Sequence, residues 1–183
     1  MIWNKNNIRS INQLIFIAVM LFVASASFSG CMFPKYSMSG VNLPPTVQSV
    51  SIKYFPNRAP LIMPTLSQSF TEALKDKFLN QTSLVLKKEG ETGDLHFEGE
   101  ISGYSTEPLG IQGNDIAAQN RLKVTVRVKF MNGKDSKFDF DETFTRYADY
   151  ASTRSLADAE GELLEVIIEQ LIEDIFNKSV VNW

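Results

Sequence analysis

Asn120-Arg121-Leu122-Lys123-Val124-Thr125-Val126-Arg127-Val128-Lys129-Phe130-Met131-Asn132-Gly133 is the stretch from which the fold can be read. Leu122, Val124, Val126, Val128 and Phe130 fall on one side of an extended chain, and Lys123, Thr125, Arg127 and Lys129 on the other. A period of two with one apolar and one charged side describes a strand that covers a core with one face and meets water with the other. Asn132-Gly133 is a hairpin signal, because both residues tolerate the left-handed backbone of a tight turn. Lys137 to Tyr147 then returns with Phe138, Phe140 and Phe144, and the slip of phase at Asp141-Glu142 predicts a bulge.

Upstream of that hairpin, Asp94 to Ser102 alternates again, with Leu95, Phe97 and Ile101 opposed to His96, Glu98 and Glu100. Gly90 to Gly93 reads as a turn after a short strand at Leu84 to Leu86. Leu66, Phe70, Leu74 and Phe78 recur every four residues, which predicts a helix over Thr65 to Gln81, capped by Thr65 or Ser67. Val47 to Phe55 reads as a strand with Val50, Ile52 and Tyr54 inward. At the far end, Ser155 with Asp158 fits a capping box, and Leu163, Val166, Ile167, Gln170, Leu171 and Phe176 mark a helix to about Lys178. Each element has one greasy side to bury. The expected architecture is therefore α+β, two helices packed on one face of a mostly antiparallel four-stranded sheet. Gly103 to Asn120 shows no period and reads as a functional or partner-ordered loop.

The amino end carries a different signal. Lys5 and Arg9 precede an uncharged apolar run from Leu14 to Ala26, closed by Phe28-Ser29-Gly30-Cys31. That run is too short to span a bilayer, for which about 20 apolar residues are needed, and the small residues before the cysteine suit a lipoprotein signal peptidase. A lone cysteine in an exported protein has no intramolecular partner, and acylation of Cys31 gives it a role. The expected division is a signal peptide at 1–30, a lipidated tether at 31–45 and one α+β domain at 46–183, the mature chain of about 150 residues being enough for a single core. With no acidic residue directly after Cys31, the expected place is the periplasm-facing side of the outer membrane, held to the bilayer through Cys31.

Charge and residue type narrow the function. The chain holds 21 Asp and Glu against 18 Lys and Arg, two of those cations in the leader. The mature part is thus more acidic than the net −3 of the whole chain, which argues against nucleic acid as a partner. His96 is the only histidine and is expected to be solvated on a polar strand side; without a second imidazole or a free thiol no transition-metal site is expected, and no cofactor. No serine sits in a Gly-x-Ser-x-Gly elbow, so no catalytic residue is assigned and no enzymatic activity is expected. Asp139 and Asp141 should lie beside Lys123, Arg127 and Lys129, so cross-strand charge pairs account for both sets. The alternative use of the same side is a basic stripe, Arg121, Lys123, Arg127 and Lys129, meeting an anionic ligand. Trp183 either packs locally or anchors an interface.

The lipoprotein cysteine, Tyr36-Ser37-Met38-Ser39-Gly40 beyond it, the strand Val47 to Phe55 followed by a helix, the Asn120-Arg121-Leu122 lead-in to an alternating strand and the closing helix together resemble the LptE family. The end of the chain, Asp174-Ile175-Phe176-Asn177-Lys178 through Trp183, looks like members of the Bacteroidetes type. The resemblance implies an LptE-like sandwich that plugs the LptD β-barrel, helps it assemble and takes part in lipopolysaccharide transport to the outer leaflet. Arg121, Lys123, Arg127 and Lys129 are then the expected lipopolysaccharide-binding residues on physical grounds, while the acidic balance favours the scaffold and plug role. The rival expectation is a periplasmic ligand-binding lipoprotein with a pocket between the sheet and the 103–120 loop.

Overall fold

The computed structural model describes residues 43–61, 63–109 and 119–181. Within them the chain runs β1 (Ser49–Ile52), α1 (Leu66–Gln81), β2 (Val85–Leu86), β3 (Leu95–Leu109), β4 (Gln119–Asn132), β5 (Phe140–Ala151) and α2 (Leu156–Phe176). The leader, Cys31, the tether up to residue 42, residues 110–118 and Trp183 lie outside the described residues.

The strand order is β2-β1-β3-β4-β5. β3, β4 and β5 form an antiparallel meander, whereas β1 runs parallel to both β2 and β3. The expected class holds, but the sheet is five-stranded and mixed rather than four-stranded and mostly antiparallel. The cause is the crossover through α1, which returns the chain to the same end of the sheet and so lays β2 alongside β1 in the same direction. β1 is also buried on both sides, Ser49 and Ser51 as fully as Val50 and Ile52, as parallel strands usually are. Tyr54 lies beyond the strand and is exposed.

β3 is longer than the sequence suggests. Gly103 to Leu109 pairs with Gln119 to Thr125, so residues 103–109 and 119–120 of the expected loop are sheet. That removes residues 103–109 as the wall of a loop pocket. The bulge also lies here rather than at Asp141-Glu142: the register slips between Ile101 and Gly103, and both Ile101 and Tyr104 are thereby turned into the core. β5 pairs with β4 without a break from Phe140 to Ala151. Glu142 and Arg146 break its apolar alternation because they reach past the sheet to the helix layer and its tail, Glu142 to Lys178 at 3.0 Å and Arg146 to Asp174 at 2.6 Å.

The turn between β4 and β5 spans more than Asn132-Gly133. Asn132 Oδ1 accepts the amides of Lys134 and Asp135, Asp135 caps a single 3₁₀ turn, and Asp139 accepts the Asn132 amide at 2.7 Å. Asp139 therefore serves this turn instead of joining a charge ladder.

Both helices lie on the inner face of the sheet. Ser155 caps α2 as expected, accepting the Asp158 amide, while Thr65 precedes α1 without a side-chain cap. α2 buries two adjacent rows, Leu163, Ile167 and Leu171 with Leu164, Ile168, Ile172 and Ile175. Val166 and Gln170, expected inside, face out, because the helix packs on the sheet and on α1 at once. Phenylalanines join the layers: Phe78 of α1 meets Phe97 at 4.9 Å and Phe176 at 5.1 Å, and Phe97 meets Phe130 at 4.8 Å. Gly99 makes room for Phe55, since a Cβ there would lie 2.1 Å from the Arg127 carbonyl oxygen and 2.6 Å from the Phe55 ring.

Candidate functional site

The outer face of the sheet, away from the helices, carries the charged side chains that the β4 alternation predicts. Each of the four cations is matched. Arg121 holds Asp149 with two bonds of 2.7 and 2.9 Å and stacks over the Tyr147 ring at 3.6 Å. Lys123 pairs with Glu107. Arg127 holds Asp141 with two bonds of 2.8 Å, and Lys129 reaches Glu98 at 3.1 Å. Arg127 crosses to Asp141 diagonally, since its directly opposed residue is Thr143.

These pairings bias protonation. Asp141 is held below the ordinary carboxylate value chiefly by the hydrogen bond from Arg127, and Asp149 by that from Arg121. Glu98 is pulled down to about 2 by hydrogen bonds first from Lys53 and then from Lys129. Lys53, Tyr54, Glu98, Arg127, Lys129 and Asp141 line one open hollow of about 530 Å³. The fold thus brings Arg127 and Lys129 together, whereas Arg121 and Lys123 stand further along β4 among Asp149 and Glu107. Lys53 and Glu98 belong to the same hollow but were not singled out. Their signal was visible, an outward lysine on the first strand and an outward glutamate on the third, and only the strand order makes them neighbours.

His96 departs from expectation. It is buried, and its Nδ1 lies 2.6 Å from Ser51 Oγ, while Nε2 stands 3.7 Å from Glu98. The order Ser-His-Glu invites comparison with a hydrolytic triad. However, Ser51 is only 4% exposed, and its Oγ already accepts the Gly93 amide at 2.9 Å. A nucleophile must reach its substrate; Ser51, His96 and Glu98 line a hollow of about 750 Å³, but the Ser51 hydroxyl is held between β1 and β3, so the group acts as a clamp between strands. Among the described residues no three His, Cys, Asp or Glu side chains converge as metal ligands.

Asp94 is the second clamp. One carboxylate oxygen accepts the Gln48 and Ser49 amides at 3.0 Å and the Ser49 hydroxyl at 2.8 Å; the other meets Lys134 at 2.8 Å. Lys134 first, and then these donors, hold its pKa well below the carboxylate range. Because the folded-state pKa is depressed, its stabilisation is present above the unfolded value of about 3.9 and lost as pH falls below it. Asp94→Asn should cost about 2 kcal/mol at pH 7, hydrogen bonds to a charged group being worth about 1.5–3 kcal/mol. In urea titrations the difference from the parent chain should shrink as pH falls from about 5 toward 2; a difference that stays constant with pH would contradict this assignment.

The fold and this surface together define a two-layer α+β domain with a polar, charge-matched outer face. No helix among the described residues is long and apolar enough to cross a membrane. Residues 47–179 match the family described as "LptE: Lipopolysaccharide-assembly", and the chain belongs to that family. No curated protein matches it in sequence. Among solved structures, a hypothetical protein of Chlamydia trachomatis shares 11% identity, covering 74% of this chain and 99% of its own, with a TM-score of 0.50. A Xanthomonas campestris protein also shares 11% identity, over 77% and 90% of the two chains, with a TM-score of 0.50. A minor lipoprotein of Acinetobacter baumannii shares 14% over 73% and 92%, with a TM-score of 0.48. At such identities the first two are alike in fold alone.

Proposed function

We propose that this chain is an outer-membrane lipoprotein, anchored through Cys31 and facing the periplasm, that plugs and helps assemble an LptD-type β-barrel and takes part in moving lipopolysaccharide to the outer leaflet. The observation that carries the proposal is the family match across residues 47–179, which spans both helices and every strand. The outer sheet face supports it physically. A plug meets the hydrated lumen of a barrel, and a face of matched ion pairs stays soluble there without an excess charge of either sign. No catalytic step and no cofactor is part of the proposal. It requires a stoichiometric complex with the barrel in detergent extracts of the outer membrane.

The same proposal assigns lipopolysaccharide phosphates to the cation ladder, Arg121, Lys123, Arg127 and Lys129. The hollow beside Arg127, Lys129 and Lys53 is the place where a phosphate exchanges with the carboxylates of Asp141 and Glu98. Arg offers the planar fork that suits phosphate, and Lys a point charge. Arg127→Glu with Lys129→Glu should weaken lipopolysaccharide binding by roughly tenfold or more, since a tenfold change needs only about 1.4 kcal/mol. The melting temperature should fall somewhat, because the new glutamates face Asp141 and Glu98, so binding is compared on folded protein. A folded double variant that binds lipopolysaccharide as tightly as the parent would remove the ladder from the site.

A further inference from the structure

A second concave surface lies on the opposite side of the molecule, between α1 and α2. Its floor is apolar, formed by Leu66, Ala73, Leu164, Ile168 and Ile172, and the groove encloses about 720 Å³. Small side chains keep it open: Ser69 and Ala73 on one helix, and Gly161 on the other, where an added Cβ would meet nothing within 4 Å. It runs beside α1 from Leu66 to Gln81, about 22 Å at 1.5 Å per residue. That is the length of a helix of about four turns.

The rim is acidic in an unusual way for this protein. Asp76, Glu165 and Glu169 line the groove beside one cation, Lys77, which Glu173 engages, and among the described residues none of the three acids has a hydrogen-bond or ion-pair partner. Their neighbours on α2 do: Glu162 pairs with Arg154, Glu173 with Lys77 and Asp174 with Arg146. Glu165 and Glu169 stand four apart on one helix, where like charges destabilise the helix. The free fold thus keeps an unfavourable charge arrangement beside an apolar trough, and cations from outside would relieve it.

We propose that this groove docks a cationic amphipathic helix of a partner protein. Apolar residues at helical spacing enter the trough, and Lys or Arg on their flanks meet Asp76, Glu165 and Glu169, a helix-in-groove mode of recognition. The occupant is not a segment of the mature chain. Residues 110–118 contain no Lys or Arg, and residues 31–42 contain Lys35 alone. The proposal does not depend on the barrel or on lipopolysaccharide.

The test places a photo-crosslinking benzoylphenylalanine at Ala73 in the full-length chain, in its own membrane, with the same group at Thr143 on the outer sheet face as a control for position. The expected result is an adduct at Ala73 whose partner peptide maps to a helix with a net positive charge, that peptide being absent from whatever Thr143 captures. Its yield should fall at least tenfold in E165K/E169K and by a smaller factor in E165Q/E169Q. The glutamine pair guards against misfolding, because it only removes a repulsion. Several results would overturn the proposal: no adduct, an adduct of unchanged yield in both double variants, or one on a barrel strand, a lipid, a second copy of this chain or residues 1–30.

Discussion

Phe78→Ala should lower the stability of the domain by about 3–5 kcal/mol, the usual cost of removing a buried phenyl ring and leaving a cavity. Phe78 is fully buried and stands where three elements meet, against Phe97 of β3 and Phe176 at the end of α2. Edge-to-face and tilted aromatic pairs add about 0.5–1.5 kcal/mol each beyond the buried area. A domain of this size is stabilised by only about 5–15 kcal/mol in all, so the variant should lose a large part of its margin. Its melting temperature should drop by roughly 10 °C, at about 2–4 °C per kcal/mol. Leu79→Ala is the matched control. Leu79 is the next residue of the same helix but 45% exposed, and its truncation should change stability by no more than about 0.5 kcal/mol. If calorimetry gave the two variants equal melting temperatures, the aromatic junction between helices and sheet would not be the centre of the core.

Cys31→Ala should strip the protein of its lipid anchor entirely. The expectation rests on the leader and on the cysteine that ends it, in a chain whose described helices include none that would span a bilayer. Each buried acyl methylene contributes about 0.8 kcal/mol, one chain gives only reversible attachment, and several chains on one residue make it stable. Removing the acceptor thiol removes all of them at once, an effect far larger than that of any surface substitution. Fractionation of cells expressing the variant, followed by immunoblotting and intact mass measurement, gives the readout. Loss of the lipid mass that the parent chain carries is the expected result. A parent chain that carries no lipid mass and keeps residues 1–30 would mean an uncleaved anchor in place of a lipid.

Local pattern made much of this fold legible in the sequence, and what it concealed has a common physical origin. The alternation of β4, the four-residue stripe of α1 and the Ser155 cap of α2 are properties of adjacent residues, and they appear where expected. Strand partnership is not a local property. β2 is only Val85 and Leu86, too short for any period, and β1 looks half-buried until β3 covers one edge and β2 the other. The same holds for the site. Arg127 and Lys129 were visible on the outward side of β4, but Glu98 reaches Lys129 from 31 residues away and Lys53 from 45. His96 is buried by a hydroxyl 45 residues distant, and nothing in Leu95-His96-Phe97 announces it. The phase slip in β5 was real as a pattern and wrong as a bulge, because Glu142 and Arg146 find partners on the helix layer that the strand alone cannot reveal.

Affinity purification of the tagged full-length chain from detergent-solubilised outer membrane, with mass spectrometry of everything that elutes with it, tests the central claim most directly. The account predicts one large β-barrel of the LptD type in a one-to-one ratio with this chain, retained through size-exclusion chromatography in mild detergent. Elution of the chain alone from extracts in which that barrel is present and folded would contradict the plug and assembly role.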